Sequence, residues 1–154
     1  MKTLTIKQPW ATLIIQGDKR FEFRSWKTSY RGDLLIHAGK GIDKEAMKRL
    51  KKYIPEDMPL GKIIGKVKLV DCIKMSPEFK EMLLKENNEI YTKSSFQENY
   101  GWQVENVEVF NHPMPVKGHL SLWEYEVEEN SKELKEFLNN NKWILKNDKL
   151  NINK

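Results

Sequence analysis

KIIGKVKLVDCIK, residues 62–74, reads as one long strand in which Ile63, Gly65, Val67 and Leu69 alternate with Ile64, Lys66 and Lys68. Successive side chains along a strand point to opposite faces of its sheet. After Leu69 the phase slips, because Val70 and Cys72 place apolar groups on the lysine side. A slip inside a long strand predicts a bulge or a barrel corner. The stretch 101–110 behaves in the same way, passing from Trp102 and Val104 to Val107 and Val109.

Upstream, residues 4–6 read as a strand, followed by a short helix with Pro9 in its first turn and Gly17 just past its end. Trp10, Leu13 and Ile14 form its buried stripe. Residues 20–26 and Asp33 to Ala38 read as strands, and Gly39 and Gly41 are expected to break the pattern. Asp43 can cap a helix to about Tyr53, with Ala46, Met47 and Leu50 inward and Lys44, Lys48, Lys51 and Lys52 outward. Downstream, Ser76-Pro77 opens a helix with Phe79, Met82 and Leu83 as its stripe, and residues 87–99 read as a loop. His112 to Pro115 reads as a turn, and residues 119–128 as the last strand. Ser131 is expected to cap a final helix burying Leu134, Phe137 and Leu138, before a tail rich in Asn and Lys in which Trp143, Ile144 and Leu145 could dock. Bulged strands with short helices inserted between them predict an α+β fold, a small mixed β-barrel surrounded by short helices. The helices do not alternate regularly with strands, which argues against a doubly wound sheet. The expected division is a domain over 1–130 and a C-terminal helix and tail over 131–154.

A chain of 154 residues suits one domain with a core of its own. With 39% hydrophobic and 32% charged residues it is neither a membrane protein nor wholly disordered. Lys7, Gln8 and Pro9 interrupt any N-terminal apolar region, and no apolar run approaches the roughly 20 residues that span a bilayer. Cys72 is the sole cysteine, so a cytoplasmic location is expected. His37, His112 and His119 lack ligand spacing, and no phosphate loop, dinucleotide fingerprint or nucleophile elbow occurs. No metal and no cofactor are expected. A net charge of +5 is compatible with a nucleic-acid partner and is weak evidence by itself.

The stretch GDKRFEFR, residues 17–24, fits G-x-K-x-x-E-x-R. Alternation places Arg20, Glu22 and Arg24 on one face and Phe21 and Phe23 on the other. One reading is a solvated strand with Glu–Arg pairs, each contributing about 0–1 kcal/mol. The other is a pocket in which Lys19 and Arg24 donate to phosphate or carbonyl oxygens while Glu22 accepts from a base. Trp10, Trp26 and Trp102 lie beside polar or glycine residues, and stacking a base on such a ring contributes roughly 1–3 kcal/mol. Gly101 would let a ligand approach the backbone. Arg31 and the cations of 40–52 could extend a backbone-binding groove.

The run LTIKQPWATLIIQGDKRFEFRSWKTSYRGDLLIHAGK, with GKIIGKVKLVDCI and YGWQVENV…PVKGHLSLWEYE, resembles the ASCH domain family over residues 3–127. The resemblance implies a PUA-like fold and a cleft between the first helix and the barrel. On its wall would stand Lys19, Glu22 and Arg24, with Trp10, Trp26 and Trp102 near them and Arg31 towards phosphate. It implies an RNA or other nucleic-acid partner, which could carry a modified base. Neither membrane association nor an oligomeric state is implied. Some members are amidohydrolases on acetylcytidine, carrying threonine where Glu22 stands here, and ribonuclease activity has been proposed for others. The alternative expectation is therefore a hydrolase using Lys19 and Glu22 as catalytic groups.

Overall fold

The structure, a computed structural model, describes residues 1–92 and 98–126. The helix expected after Ser131 and the docking of Trp143 fall outside these residues.

The elements run β1 (Lys2–Gln8), α1 (Trp10–Ile15), β2 (Phe21–Arg24), β3 (Gly32–Ile42), α2 (Lys44–Arg49), a 3-10 turn (Lys51–Tyr53), β4 (Lys62–Lys74), α3 (Pro77–Glu86), β5 (Tyr100–Pro115) and β6 (Leu122–Glu124). The six strands form one sheet in the order β2-β5-β4-β3-β1-β6. β1 runs parallel to β3, and every other neighbouring pair is antiparallel. The class is α+β, as expected. Among the described residues the sheet is not closed into the expected barrel. β2 pairs with β5 alone, and β6 covers only Lys2 to Leu4 of β1, which leaves β2 and β6 as the two edges.

Both phase slips are bulges. Leu69 pairs with Val104 and Asp71 with Gln103, so Val70 is an extra residue on β4. Lys66 pairs with Glu108 and Lys68 with Glu105, so Asn106 and Val107 together oppose Val67. Asn106 takes the positive φ of 51° that lets the strand fold over itself there. These kinks bend the two longest strands and curl the sheet around α1.

Several boundaries differ from expectation. β3 continues through Gly39 and Gly41, because its outer end pairs with Lys62 and Gln8 rather than ending at the glycines. The Pro113 region is strand rather than turn, since Met114 and Pro115 pair with Ile63 and Lys62. Of the last strand, expected over 119–128, the described residues form only Leu122–Glu124. Met82 is 40% exposed, so α3 buries only Phe79 and Leu83.

Two apolar clusters fix the elements around the site. One lies inside the curled sheet and joins Ile6, Ile14, Ile36, Val67, Leu69 and Trp102. The other packs Leu13, Phe21, Ala46, Leu50, Phe79 and Tyr91 between α1, β2, α2 and α3. α1 contributes to both, so it is clamped between sheet and helices. It ends where Gly17 turns at φ +85°, a conformation that favours glycine.

Candidate functional site

The tight turn after α1 delivers Lys19 to the start of β2, where its amide is held by the Leu13 carbonyl at 3.1 Å. Its side chain is 2% exposed and folds back inside. The ammonium donates to the Phe21 carbonyl and to Glu22 Oε1 at 3.2 Å. It also lies 5.3 Å from the Trp10 ring centre and 4.9 Å from that of Phe23, within cation–π reach of both. Glu22 Oε2 accepts from Arg24 Nη2 at 2.9 Å. The same Nη2 donates to the Thr5 carbonyl of β1 at 2.8 Å, across the gap between β2 and β1. Among the described residues, Arg24 Nε is buried without a hydrogen-bond partner. Lys19, Glu22 and Arg24 are thus one connected unit bearing a net positive charge.

Burial by itself would raise the Glu22 carboxyl, but Lys19 and Arg24 outweigh it and hold the group below the usual carboxylate range. Burial lowers Lys19 below its ordinary value, opposed by Glu22 and reinforced by Arg24. Glu22 is therefore a carboxylate locked between two cations, a weak base at neutral pH.

This unit stands on the wall of an open cleft of about 770 Å³, within the range of small-ligand sites. Trp10 and Trp26, both half-buried, line it as well, together with Phe23. Phe23, on the same face as Phe21, packs at the border of the second cluster edge-on to Tyr91 at 5.8 Å and also underlies Lys19 at the cleft, while Phe21 is core against Phe79 and Tyr91. Arg20, expected beside Glu22, turns away to Glu86 at 2.6 Å, and Lys19 takes its place.

Two of the expected ligand residues do not join the cleft. Trp102 is fully buried, edge-on to Trp26 at 4.6 Å, and donates its indole hydrogen to the Trp26 carbonyl at 3.3 Å. It supports Trp26 from behind. Arg31 holds the carbonyls of Thr28 and Tyr30 and approaches Asp71 at 3.7 Å, away from the cleft lining. Gly101 leaves no room for a ligand, because a Cβ there would meet the Phe79 ring at 2.7 Å.

Three cleft residues lie outside the site expected from the sequence. Asp43 caps α2 through Oδ1, accepting from the Ala46 amide at 3.1 Å, and accepts from the Trp10 indole through Oδ2 at 3.2 Å. Its capping role was legible, but its hold on Trp10 was not. Thr5 offers its carbonyl to Arg24, while its hydroxyl accepts from Trp123 Nε1 at 3.0 Å and meets His37 Nδ1 at 3.2 Å. The Val116 carbonyl can only accept, so the 2.6 Å contact assigns the hydrogen to His37 Nε2, and Nδ1 receives the Thr5 hydroxyl. Burial, against the pull of Val116, keeps this imidazole below its ordinary pKa. His119 lines the cleft mouth edge-on to Trp123 at 4.9 Å. No pattern short of the fold brings Thr5 and His119 to the motif.

Among the described residues, no cluster of three or more His, Cys, Asp or Glu could hold a metal, and no helix is long and apolar enough to cross a membrane.

Comparison with known proteins adds the following. The family model for the ASCH domain matches residues 4–137. Activating signal cointegrator 1 of Mus musculus is 32% identical over 131 residues, covering 78% of this chain and 21% of that protein. Its Homo sapiens counterpart is 38% identical over 89 residues, covering 51% of this chain and 15% of its own length. The chain therefore spans about a fifth or less of the curated relatives it matches. The crystal structure of ASCH from Zymomonas mobilis superimposes with a TM-score of 0.56 at 13% identity, over 87% of this chain and 93% of that one. At that identity the match speaks for the fold alone.

Proposed function

The chain belongs to the ASCH domain family, and on that premise we propose that its cleft binds a segment of single-stranded nucleic acid, RNA in the first instance. The observation that carries this reading is the convergence of the Lys19–Glu22–Arg24 unit with the half-buried rings of Trp10 and Trp26 on one open cleft. A half-buried tryptophan offers a face on which any base can stack. Arg24 offers a guanidinium already oriented by Glu22 and Thr5, so little side-chain entropy is lost when it meets a phosphate or a base carbonyl. Glu22, which accepts from Arg24 through Oε2, would orient that guanidinium toward the ligand.

A catalytic role for Lys19 and Glu22 is not part of this proposal. Both groups are spent on each other and on the backbone, and a carboxylate held below its usual pKa is a poor general base near neutrality.

The test is a titration of tryptophan fluorescence with short RNA and DNA oligomers at several salt concentrations. Binding that weakens steeply with salt is expected, and Arg24→Ala should lower affinity at least roughly 10-fold, in line with the loss of one charge-assisted contact. Oligomer affinity that survives Arg24→Ala unchanged would falsify the assignment of the motif to the binding surface.

A further inference from the structure

The segment 40–52 carries Lys40, Lys44, Lys48, Arg49, Lys51 and Lys52 against two acids, Asp43 and Glu45, so it holds most of the chain's net charge of +5. Within it the cations divide into two sets. Arg49 is bonded to Glu45 at 2.8 Å and to the Glu89 carbonyl, and Lys52 pairs with Glu89 at 2.8 Å. Lys40, Lys44, Lys48 and Lys51 are exposed and make no ion pair among the described residues. Lys44 and Lys48, four residues apart on α2, lie within about 40° of one another and about 6 Å apart along its axis, and Lys51 follows at the start of the 3-10 turn. Ala46 and Leu50, on the opposite side, are buried against Leu13 and Phe21. The stripe thus faces water because the other face of the helix is anchored in the core.

Its position relative to the cleft is fixed by one residue. Asp43 lines the cleft, holds the Trp10 indole, caps α2, and donates its own amide to the Gln8 carbonyl at 2.8 Å. Lys40 lies on the cleft lining just before it. A chain leaving the cleft past Lys40 and Asp43 therefore meets Lys44 next, then Lys48 and Lys51. Exposed lysines without protein partners suit a flexible polyanion, which they neutralise without paying to break existing pairs.

We infer that Lys40, Lys44, Lys48 and Lys51 form a phosphate track along α2, and that the partner is a strand of several nucleotides rather than a free nucleotide. This rests on the cleft reading above, and the following experiment separates the two. Affinities of the full chain and of a Lys44→Ala/Lys48→Ala/Lys51→Ala variant are measured for a nucleoside monophosphate and for single-stranded RNA of two, four and about eight nucleotides, lengths bracketing common single-strand site sizes. The full chain should bind more tightly as the strand lengthens. The variant should keep the monophosphate affinity, lose roughly 10- to 100-fold for the longest RNA at low salt, and show a log–log salt slope shallower by about 2. Equal length dependence and equal salt slope in both proteins overturn the track and leave the cleft reading standing. Oligomer binding absent from the full chain overturns both. Adsorption to phosphatidylserine vesicles that needs the three lysines, without any gain from RNA length, overturns the track in favour of a membrane surface.

Discussion

Lysine is used under opposite conditions on the two sides of Asp43. Lys19 is 2% exposed, fixed by a carboxylate and a carbonyl and sandwiched near two rings. Lys44 and Lys48 on α2, and Lys51 in the turn after it, stand in water. The same ammonium group is structural in the first setting and available in the second. In a dry wall a charge is tolerated only with its partners in place, so it shapes the cleft and responds little to salt. On a solvated helix face a charge costs little to display and responds strongly to salt. A small basic domain can therefore hold a rigid, internally paired charge and a solvated, unpaired one side by side, provided something fixes the distance between them.

The largest effect expected is at the buried end of that contrast. Glu22→Ala leaves Lys19 buried and Arg24 without their common counter-ion, and should destabilise the protein by about 3–5 kcal/mol in chemical denaturation. A loss under about 1 kcal/mol would mean that the two cations rearrange freely, and the contrast with α2 would disappear. Next in size, Asp43→Ala should cost about 0.5–2 kcal/mol through the lost cap. It should also shift the Trp10 emission by releasing the indole, an effect that a role confined to capping would not produce. Lowering the pH offers a third test. The Glu22 carboxyl lies below its ordinary 4.5 in the folded protein, so its contribution is present above the unfolded value and fades as pH falls through the folded one. The stability advantage of the wild type over Glu22→Gln should therefore hold at neutral pH and shrink below about pH 4.5. The smallest effect belongs to the exposed end, where Lys48→Ala should change stability by less than about 0.5 kcal/mol. A larger loss would show that this lysine has a protein partner after all.

What could be read from the sequence follows the range of the interactions involved. Period and phase are local properties, so the slips at Val70 and between Val104 and Val107 announced real bulges, and Asp43 and Ser76 announced real caps. Strand pairing is not local. Gly39 and Gly41 look like breakers, yet a partner strand carries β3 past them. Lys66 belongs to the charged side of β4 by alternation, yet it is buried within reach of Asp33 and Glu108. The motif shows the same limit at the site. Glu22 and Arg24 were placed together correctly by alternation, but Arg20 found Glu86, and the vacant role went to Lys19 through a turn whose direction no spacing specifies. Trp102 and Gly101 illustrate a further case, in which composition alone cannot tell a ring that meets a ligand from one that supports its neighbour.

The hydrogen bond from Arg24 to the Thr5 carbonyl has a mechanical meaning. It ties one edge of the curled sheet to β1 with a side chain where a closed cylinder would use a ladder of amides. A ladder fixes the spacing of two strands at about 4.8 Å, whereas a side-chain tie sets it by the reach of whatever residue stands at the position. At this point of the cleft wall the span between the two strands is thus bridged by one side chain, and residue 24 sets the length of that bridge.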